Sequence, residues 1–129
     1  MTALYNLCPH ELRFYLPDGK VVVMASLGSL RLKSSPQQKL TGIKMDDALV
    51  PTITPQDFVG IDGDPVVLAL WETNPNADFI VSLPAAQWLA AHKHHVGHRG
   101  LLCPATGPQY AVRDEKGVIQ GARALERYA

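Results

Sequence analysis

The amino-acid sequence predicts an α+β fold: an antiparallel, β-rich single domain over residues 1–129, with hairpins and one main helix at about residues 83–95. Short runs of β-branched and aromatic residues alternate with turns that contain glycine or proline, a pattern typical of hairpins. Only one stretch has the composition of a well-defined helix, so alternating βαβ units are not expected. A chain of 129 residues has room for one compact domain.

The first third of the chain is expected to form strands. Leu4–Leu16 and Val21–Met24 flank the sequence Pro17-Asp18-Gly19-Lys20, whose glycine supplies the positive φ of a turn, and they predict a hairpin. Apolar and polar residues alternate over Ser29–Lys33, which predicts a strand with one buried face and basic side chains on the other.

The middle of the chain has a weaker pattern. Residues 37–57 mix polar and apolar side chains with two prolines, and only Leu49–Ile53 is expected to form a short edge strand. Phe58–Ile61 and Val66–Trp71 flank the turn sequence Asp62–Pro65 and predict a second hairpin.

The predicted helix follows a short buried strand at Phe79–Val81. Ser82 is a candidate N-cap, and Pro84 falls in the first turn of a segment rich in helix-forming residues. Gly97 is expected to lie just beyond the helix in the left-handed conformation.

The remaining chain is expected to be β-structure. Leu101–Cys103 predicts a strand that leads into a rigid loop at Pro104–Pro108. Tyr110–Arg113 and a segment from Val118 to about Tyr128 flank the turn Asp114–Gly117 and predict a third hairpin.

The net charge is zero, because twelve basic residues balance twelve acidic ones. The charges are segregated: residues 1–44 carry six basic and two acidic side chains, residues 45–80 carry none and seven, and residues 81–129 carry six and three. This balance argues against duplex nucleic acid as a partner, which a basic field would attract. It is compatible with a local basic pocket built from the two ends of the chain, and equally with a solvated mixture of signs.

Cysteine content and the N-terminal sequence indicate a cytoplasmic protein. Cys8 and Cys103 do not form a Cys-x-x-Cys pair, and so few cysteines suit a reducing compartment. The first residues lack the basic start and apolar run of a signal peptide, and no stretch approaches the ~18 apolar residues of a membrane span. We therefore expect no membrane partner.

Four histidines lie within seven positions, at His92, His94, His95 and His98. On a helix, His92 and His95, or His94 and His98, share a face, and imidazoles at that spacing can ligate zinc. No acidic residue lies within the cluster, and protonated histidines near a helix C-terminus are favoured by the helix dipole without a metal. We expect neither a metal nor another cofactor, and the cluster remains an alternative metal site.

No catalytic residues are expected. The sequence has no Gly-x-Ser-x-Gly elbow, and Pro9 interrupts the strand geometry that would align Cys8 with His10. Glycine-rich phosphate loops are also missing, so an anionic ligand would depend on arginines beside short polar loops, whose planar side chains bind phosphate through two hydrogen bonds. Trp71 and Tyr110 are equally compatible with stacking on a base and with core packing.

Five segments resemble, in order and spacing, the pattern of a family of small proteins from bacteria and phages. They are Asn6-Leu7-Cys8-Pro9-His10-Glu11, Ser29-Leu30-Arg31-Leu32, Phe79-Ile80-Val81-Ser82, Pro104-Ala105-Thr106-Gly107-Pro108 and Val112-Arg113-Asp114-Glu115-Lys116-Gly117-Val118-Ile119. The pattern is similar to that of the first Thoeris anti-defence family. Its members are phage-encoded sponges that bind cyclic ADP-ribose isomers made by bacterial immune enzymes, and in some cases cyclic oligonucleotides, without cleaving them.

The resemblance implies an α+β protomer that assembles into homo-oligomers in the host cytoplasm, with nucleotide pockets between subunits. The candidate ligand-binding residues are Arg31, Thr106, Gly107, Gln109, Tyr110, Arg113 and Arg123. Gln109 and Tyr110 stand where relatives have an Asn-rich stretch, and residues 37–57 have little counterpart, so the identity of the ligand stays open.

Two other classes of function remain open. A small metal-dependent phosphoester hydrolase would use the histidine cluster, and an inhibitor of a host protein would bind through the segregated charges. The leading expectation is sequestration, which requires a dissociation constant of about 1 nM, or about −12 kcal/mol, but no nucleophile or general base.

Overall fold

The computed structural model describes residues 2–129 and arranges most of them in three layers, with a central sheet between two helices and a second sheet. The strands are β1 (Leu4–Asn6), β2 (Leu12–Tyr15), β3 (Val21–Met24), β4 (Arg31–Ser34), β5 (Lys39–Met45), β6 (Ala48–Ile53), β7 (Phe58–Asp62), β8 (Asp78–Ile80), β9 (Gly100–Pro104), β10 (Ala111–Arg113), β11 (Ile119–Ala122) and β12 (Leu125–Arg127). The helices are α1 (Pro65–Thr73) and α2 (Leu83–Ala91). The predicted α+β class is confirmed.

The central sheet has the strand order β1-β8-β9-β12 and mixes two strand directions. β8 pairs in parallel with β1 and with β9, whereas β12 is antiparallel to β9. The prediction of a purely antiparallel fold is therefore wrong here. The parallel pairing arises because α2 connects the end of β8 to the start of β9, so that β9 runs in the same direction as β8.

A second helix, α1, replaces the strand predicted at Val66–Trp71, and the predicted second hairpin is therefore wrong. The side chain of Asp64 accepts a hydrogen bond from the Val67 backbone N–H at 3.0 Å, and Pro65 occupies the first turn. An N-cap acceptor followed by proline is a helix start, although the same residues also suit a turn. Val67 and Trp71, one helical turn apart, are both buried.

The second sheet has the order β10-β11-β2-β3. Its β2–β3 hairpin confirms the first predicted hairpin, and Gly19 takes a φ of 88° in the turn. β10 and β11 pair antiparallel as predicted, but β11 runs parallel to β2. The third hairpin does not continue to Tyr128, because β12 leaves this sheet and pairs with β9.

β4 and β7 confirm two predicted strands, and they pair with each other in a separate two-stranded sheet. Residues 37–57 contain more structure than the sequence predicts, since β5 and β6 form a hairpin that we call the arm. A β-bulge between Leu40 and Ile43 shifts the alternation of side chains, which hides the period of two in the sequence. None of the residues of β5 and β6 is buried.

α2 begins where it was predicted to begin but ends at Ala91 rather than near residue 95. A 3-10 turn follows at Lys93–His95, and Gly97 has the predicted positive φ, at 61°. Ser82 occupies the N-cap position without making a capping hydrogen bond through its side chain. Within residues 2–129, neither helix has the length and apolar character that crossing a membrane requires.

The core consists of two clusters on opposite faces of the central sheet. Phe79 and Leu101 face the helices, where the rings of Phe79 and Trp71 have centroids 4.9 Å apart. Ile80 and Leu102, their neighbours along the strands, face the second sheet. The alternation of side chains along β8 and β9 thus joins the three layers.

Candidate functional site

A cavity of about 460 Å³ is bordered by both sheets and by the first turn of α2. It is lined by residues 8–14, 81–83, 103–106 and 119–122, together with Glu126 and Tyr128. Its volume lies within the range of roughly 300–1,000 Å³ that is typical of small-molecule sites. This cavity is the candidate binding site.

One wall of the cavity is the loop that follows β1, and the side chain of Asn6 holds it in place. Asn6 is 1% exposed, and its amide nitrogen donates to the carbonyl oxygens of His10 at 3.2 Å and Met24 at 3.1 Å. Its side-chain oxygen accepts from the Cys8 N–H at 3.0 Å. The hydroxyl of Ser26 also donates to the Cys8 carbonyl oxygen. These bonds fix the shape of the wall before any ligand binds.

Charged groups border the cavity while apolar residues form its inner surface. Arg13 Nε donates to Glu11 Oε1 at 3.3 Å, and the Tyr128 hydroxyl donates to Glu126 Oε2 at 3.0 Å. The hydrogen bond to Glu126 raises the pKa of Tyr128. Leu12 and Phe14 of β2, which alternate with Arg13, point into the buried cluster. The residues that line the cavity therefore include Glu11, Arg13 and Glu126 beside this apolar surface.

The start of α2 contributes the positive end of a helix. Ser82 and Leu83 line the cavity, and the first helical hydrogen bond runs from the Ala86 N–H to the Ser82 carbonyl oxygen at 2.9 Å. The N–H groups of Leu83 and Ala85 therefore precede any acceptor within the helix, and the Ser82 hydroxyl does not cap them. Such a terminus favours a negatively charged ligand group.

The two thiols in the cavity wall, those of Cys8 and Cys103, are buried and unreactive. Burial raises the pKa of Cys8 to about 11 and, with the nearby Cys8 and Glu126, raises the pKa of Cys103 to about 12. Cys103 Sγ also donates to the Val81 carbonyl oxygen at 3.2 Å. Since only the thiolate is strongly nucleophilic, both cysteines are inert at neutral pH.

Of the seven predicted ligand-binding residues, the structure brings Thr106 into the cavity lining. Gly107 lies next to it, and its carbonyl oxygen accepts from the N–H groups of Tyr110 and Ala111, at 2.9 Å each. Gln109 and Tyr110 are exposed and lie outside the lining. The Thr-Gly-Pro loop thus reaches the site through its first residue.

The three predicted arginines do not converge on the cavity. Arg31 is exposed on β4, across from Asp62 of β7. Arg113 Nη1 donates to the Gly117 carbonyl oxygen at 2.7 Å, which closes the β10–β11 turn. Arg123 Nη1 lies 3.5 Å from the Ala111 carbonyl oxygen. Within one protomer these side chains form no common phosphate site.

The histidine cluster forms a stack of rings rather than a converging set of ligands. His92 stacks on Trp88 with centroids 4.1 Å apart, and its Nδ1 donates to the Trp88 carbonyl oxygen at 2.7 Å. The rings of His94 and His95 lie 4.1 Å apart. Burial, with the nearby His94 and His92, lowers the pKa of His95. Across residues 2–129, no three side chains of His, Cys, Asp or Glu meet as metal ligands.

The sequence did not single out the charged residues of the cavity. Glu11, Arg13 and Glu126 come from three separate parts of the chain, and only the folded sheets bring them together. The sequence could have pointed to one of them, because Glu11 is the last residue of the first segment that resembles the family pattern.

Comparison with known proteins adds no identity to this geometry. No family model, curated protein or solved structure matches the chain.

Proposed function

We propose that the protein binds a cyclic nucleotide, of the cyclic ADP-ribose or cyclic oligonucleotide class, and sequesters it without cleaving it. The observation that carries this proposal is the cavity of about 460 Å³ that combines the uncapped start of α2, Arg13 and Thr106. The resemblance to the first Thoeris anti-defence family supplies the ligand class. It also implies an anti-defence role in the host cytoplasm.

The chemistry of the cavity suits the parts of a nucleotide. A phosphate would accept hydrogen bonds from the first N–H groups of α2 and from Arg13, as anions do at helix N-termini. Glu11 and Glu126 offer acceptors for ribose hydroxyls, and Leu12 with Phe14 borders an apolar space for the base.

Retention without cleavage is supported by the protonated thiols. Cys8 and Cys103 line the cavity, and burial raises their pKa values to about 11 and about 12. Neither can attack a phosphate or glycosidic carbon at neutral pH. Tight binding is sufficient for a sponge.

The test is recovery of the ligand. The protein is incubated with cyclic ADP-ribose isomers and, separately, with cyclic dinucleotides, washed, denatured by heat, and the released compound is analysed by chromatography and mass spectrometry. Intact cyclic compound is expected, with a dissociation constant of about 1 nM by competition titration. Release of a linear product, or no retention of any compound, contradicts the proposal.

A matched pair of variants locates the site. Arg13→Ala removes the basic side chain of a residue that lines the cavity and is expected to weaken binding about tenfold or more, equivalent to about 1.4 kcal/mol. Arg113→Ala is the control, because Arg113 lies outside the cavity and bonds to its own turn. If Arg113→Ala abolishes binding while Arg13→Ala does not, the ligand occupies another site, such as a pocket between subunits.

A further inference from the structure

We propose that the dipeptide Asp62–Gly63, where β7 leads into α1, is a site of spontaneous covalent modification, at which the chain rearranges through a cyclic imide to isoaspartate. The reaction is an intramolecular dehydration followed by hydrolysis, and water is the co-reactant that it requires. The proposal stands apart from ligand binding, because neither residue lines the cavity.

The chemistry of the site is that of an Asp-Gly sequence. The nitrogen of Gly63 forms a bond to Asp62 Cγ, and its proton leaves with the carboxyl hydroxyl as water, which closes a five-membered imide ring. Water then adds to one of the two ring carbonyl groups. Opening at Cγ restores aspartate, whereas opening at the main-chain carbonyl leaves isoaspartate, in which the backbone passes through the former side chain. Glycine favours ring closure because it has no Cβ to obstruct the approach.

The sequence contains two Asp-Gly dipeptides, Asp18–Gly19 and Asp62–Gly63, and their surroundings differ. The Gly63 N–H donates to Asp62 Oδ1 at 2.8 Å. Because Cγ is bonded to that oxygen, the attacking nitrogen lies close to the carbon that it attacks. Rotation about the Cβ–Cγ bond leaves Cγ in place and turns the face of the carboxyl group toward the nitrogen. Holding the two reacting atoms together in this way accelerates an intramolecular reaction.

The reacting groups of Asp18–Gly19 have other hydrogen-bond partners. The Gly19 N–H donates to the Leu16 carbonyl oxygen at 3.0 Å, and Asp18 Oδ1 accepts from the Lys20 N–H at 3.0 Å. Lys20 Nζ also lies 3.9 Å from Asp18 Oδ2. Ring closure at this turn requires that these hydrogen bonds break. We therefore expect Asp18–Gly19 to react more slowly than Asp62–Gly63 in the folded protein.

The surroundings of Asp62–Gly63 combine access to water with a fixed backbone. Asp62 is exposed, so water can reach the imide ring and open it. Gly63 is closely packed, since a Cβ on it would lie 3.1 Å from Val67 Cγ1 and 3.2 Å from the Ser29 carbonyl oxygen. These neighbours keep the glycine nitrogen beside the Asp62 carboxyl group.

Isoaspartate at this position is expected to weaken the start of α1. The modification adds a methylene group to the backbone two residues before Asp64, whose side chain caps α1 by accepting from the Val67 N–H at 3.0 Å. Val67 is fully buried, so the helix cannot shift freely to accommodate a longer backbone. The modified fraction should therefore unfold at a lower temperature than fresh protein.

The experiment is incubation of the full chain in water labelled with oxygen-18, followed by peptide mapping with tandem mass spectrometry. Each passage through the imide places one heavy oxygen at the site, whether aspartate or isoaspartate results. In the folded protein, Asp62 is expected to gain label about tenfold faster than Asp18. In denaturant the two residues should gain label at similar rates, because both precede glycine and the folded geometry is lost.

Asp62→Glu is the matched control. Glutamate keeps the negative charge at this exposed position, but its imide ring would have six members and forms far more slowly. Label at position 62 should therefore be lost, while Asp18 is labelled as in the wild type. After long incubation, the wild type should also contain a fraction that unfolds at lower temperature, and Asp62→Glu should lack it.

Three results would overturn the proposal. They are labelling of Asp18 in the folded protein as fast as that of Asp62, labelling of Asp62 only in denaturant, and persistent label at position 62 in Asp62→Glu. Identical thermal unfolding of labelled wild type and Asp62→Glu would overturn the inferred effect on α1.

Discussion

The two faces of the central sheet are filled differently, although they alternate along the same strands. On the helix face, the ring of Phe79 lies between Tyr5 and Trp71, with centroid distances of 5.6 and 4.9 Å. On the opposite face, Ile80 belongs to a smaller cluster that adjoins the cavity. Two neighbouring residues of β8 thus pack in different layers, and the cavity adjoins both layers, because Val81 and Cys103 of the helix-face cluster line it together with Leu12 and Phe14.

The largest expected effect is the loss of the aromatic packing on the helix face. Phe79→Ala should lower the free energy of unfolding by about 3–5 kcal/mol, because it removes buried area and leaves a cavity among rigid neighbours. Ile80→Val, one residue away on the other face, should cost about 0.5–1.5 kcal/mol. Urea unfolding followed by tryptophan fluorescence measures both. Equal losses at the two positions would contradict this ranking.

Replacing small buried residues by larger ones should lower the stability by an intermediate amount. The loss should again be larger on the helix face than on the opposite face. Ala86 is fully buried in α2 on the helix face, so Ala86→Leu should destabilise the protein by about 1–3 kcal/mol through overpacking. Ala122 lines the cavity on the other face, and Ala122→Val should cost less than about 1 kcal/mol because the added methyl groups have space. Thermal unfolding tests this order, and a more damaging Ala122→Val would contradict it.

A third expected effect concerns alkaline pH and involves one thiol from each face. Cys103 belongs to the helix-face cluster and Cys8 to the other, and burial raises their pKa values to about 12 and about 11. Above the ordinary thiol pKa of about 9, the unfolded chain loses these protons before the folded protein does. The free energy of unfolding should therefore fall as the pH rises from about 9 toward about 11.

Urea unfolding at neutral and alkaline pH measures this decline. A Cys8→Ala/Cys103→Ala variant is the control and should show a flatter decline, to which Tyr128 still contributes through its raised pKa. Native thiols should also react slowly with a disulfide reagent at neutral pH and rapidly after unfolding. Rapid labelling of the folded protein would show that the wall of the cavity opens.

The success of the sequence predictions depends on how local the deciding interactions are. The β2–β3 hairpin and the start of α2 depend on residues a few positions apart, such as the glycine at Gly19 or the proline at Pro84, and both were predicted. α1 was missed because Asp64 and Pro65 suit a turn as well as a helix cap. Only the burial of its apolar face against Phe79 decides between them.

The site illustrates the same limit. Thr106 was singled out because it belongs to a recognisable loop, whereas Arg13 has no distinctive sequence context and lines the cavity because β2 pairs with β11. Arg31 and Arg113 lie on β4 and β10, which belong to different sheets, and neither residue lines the cavity of one protomer. The sequence shows which side chains could contribute to a site, and the pairing of strands in the folded protein decides which of them lie close together.

The parallel pairing of β1 with β8 has a consequence for how the chain folds during synthesis. Leu4 pairs with Asp78, so the first strand has no partner until more than half of the chain has left the ribosome. At a synthesis rate of about 5–20 residues per second, the apolar segment that continues from β1 to Leu7 stays without its partner strand for several seconds. The edge strand β12, which pairs with β9, is synthesised after every other strand described here. The central sheet thus forms late and through distant contacts, which makes refolding slow compared with helical proteins and gives chaperones a time window in which to bind.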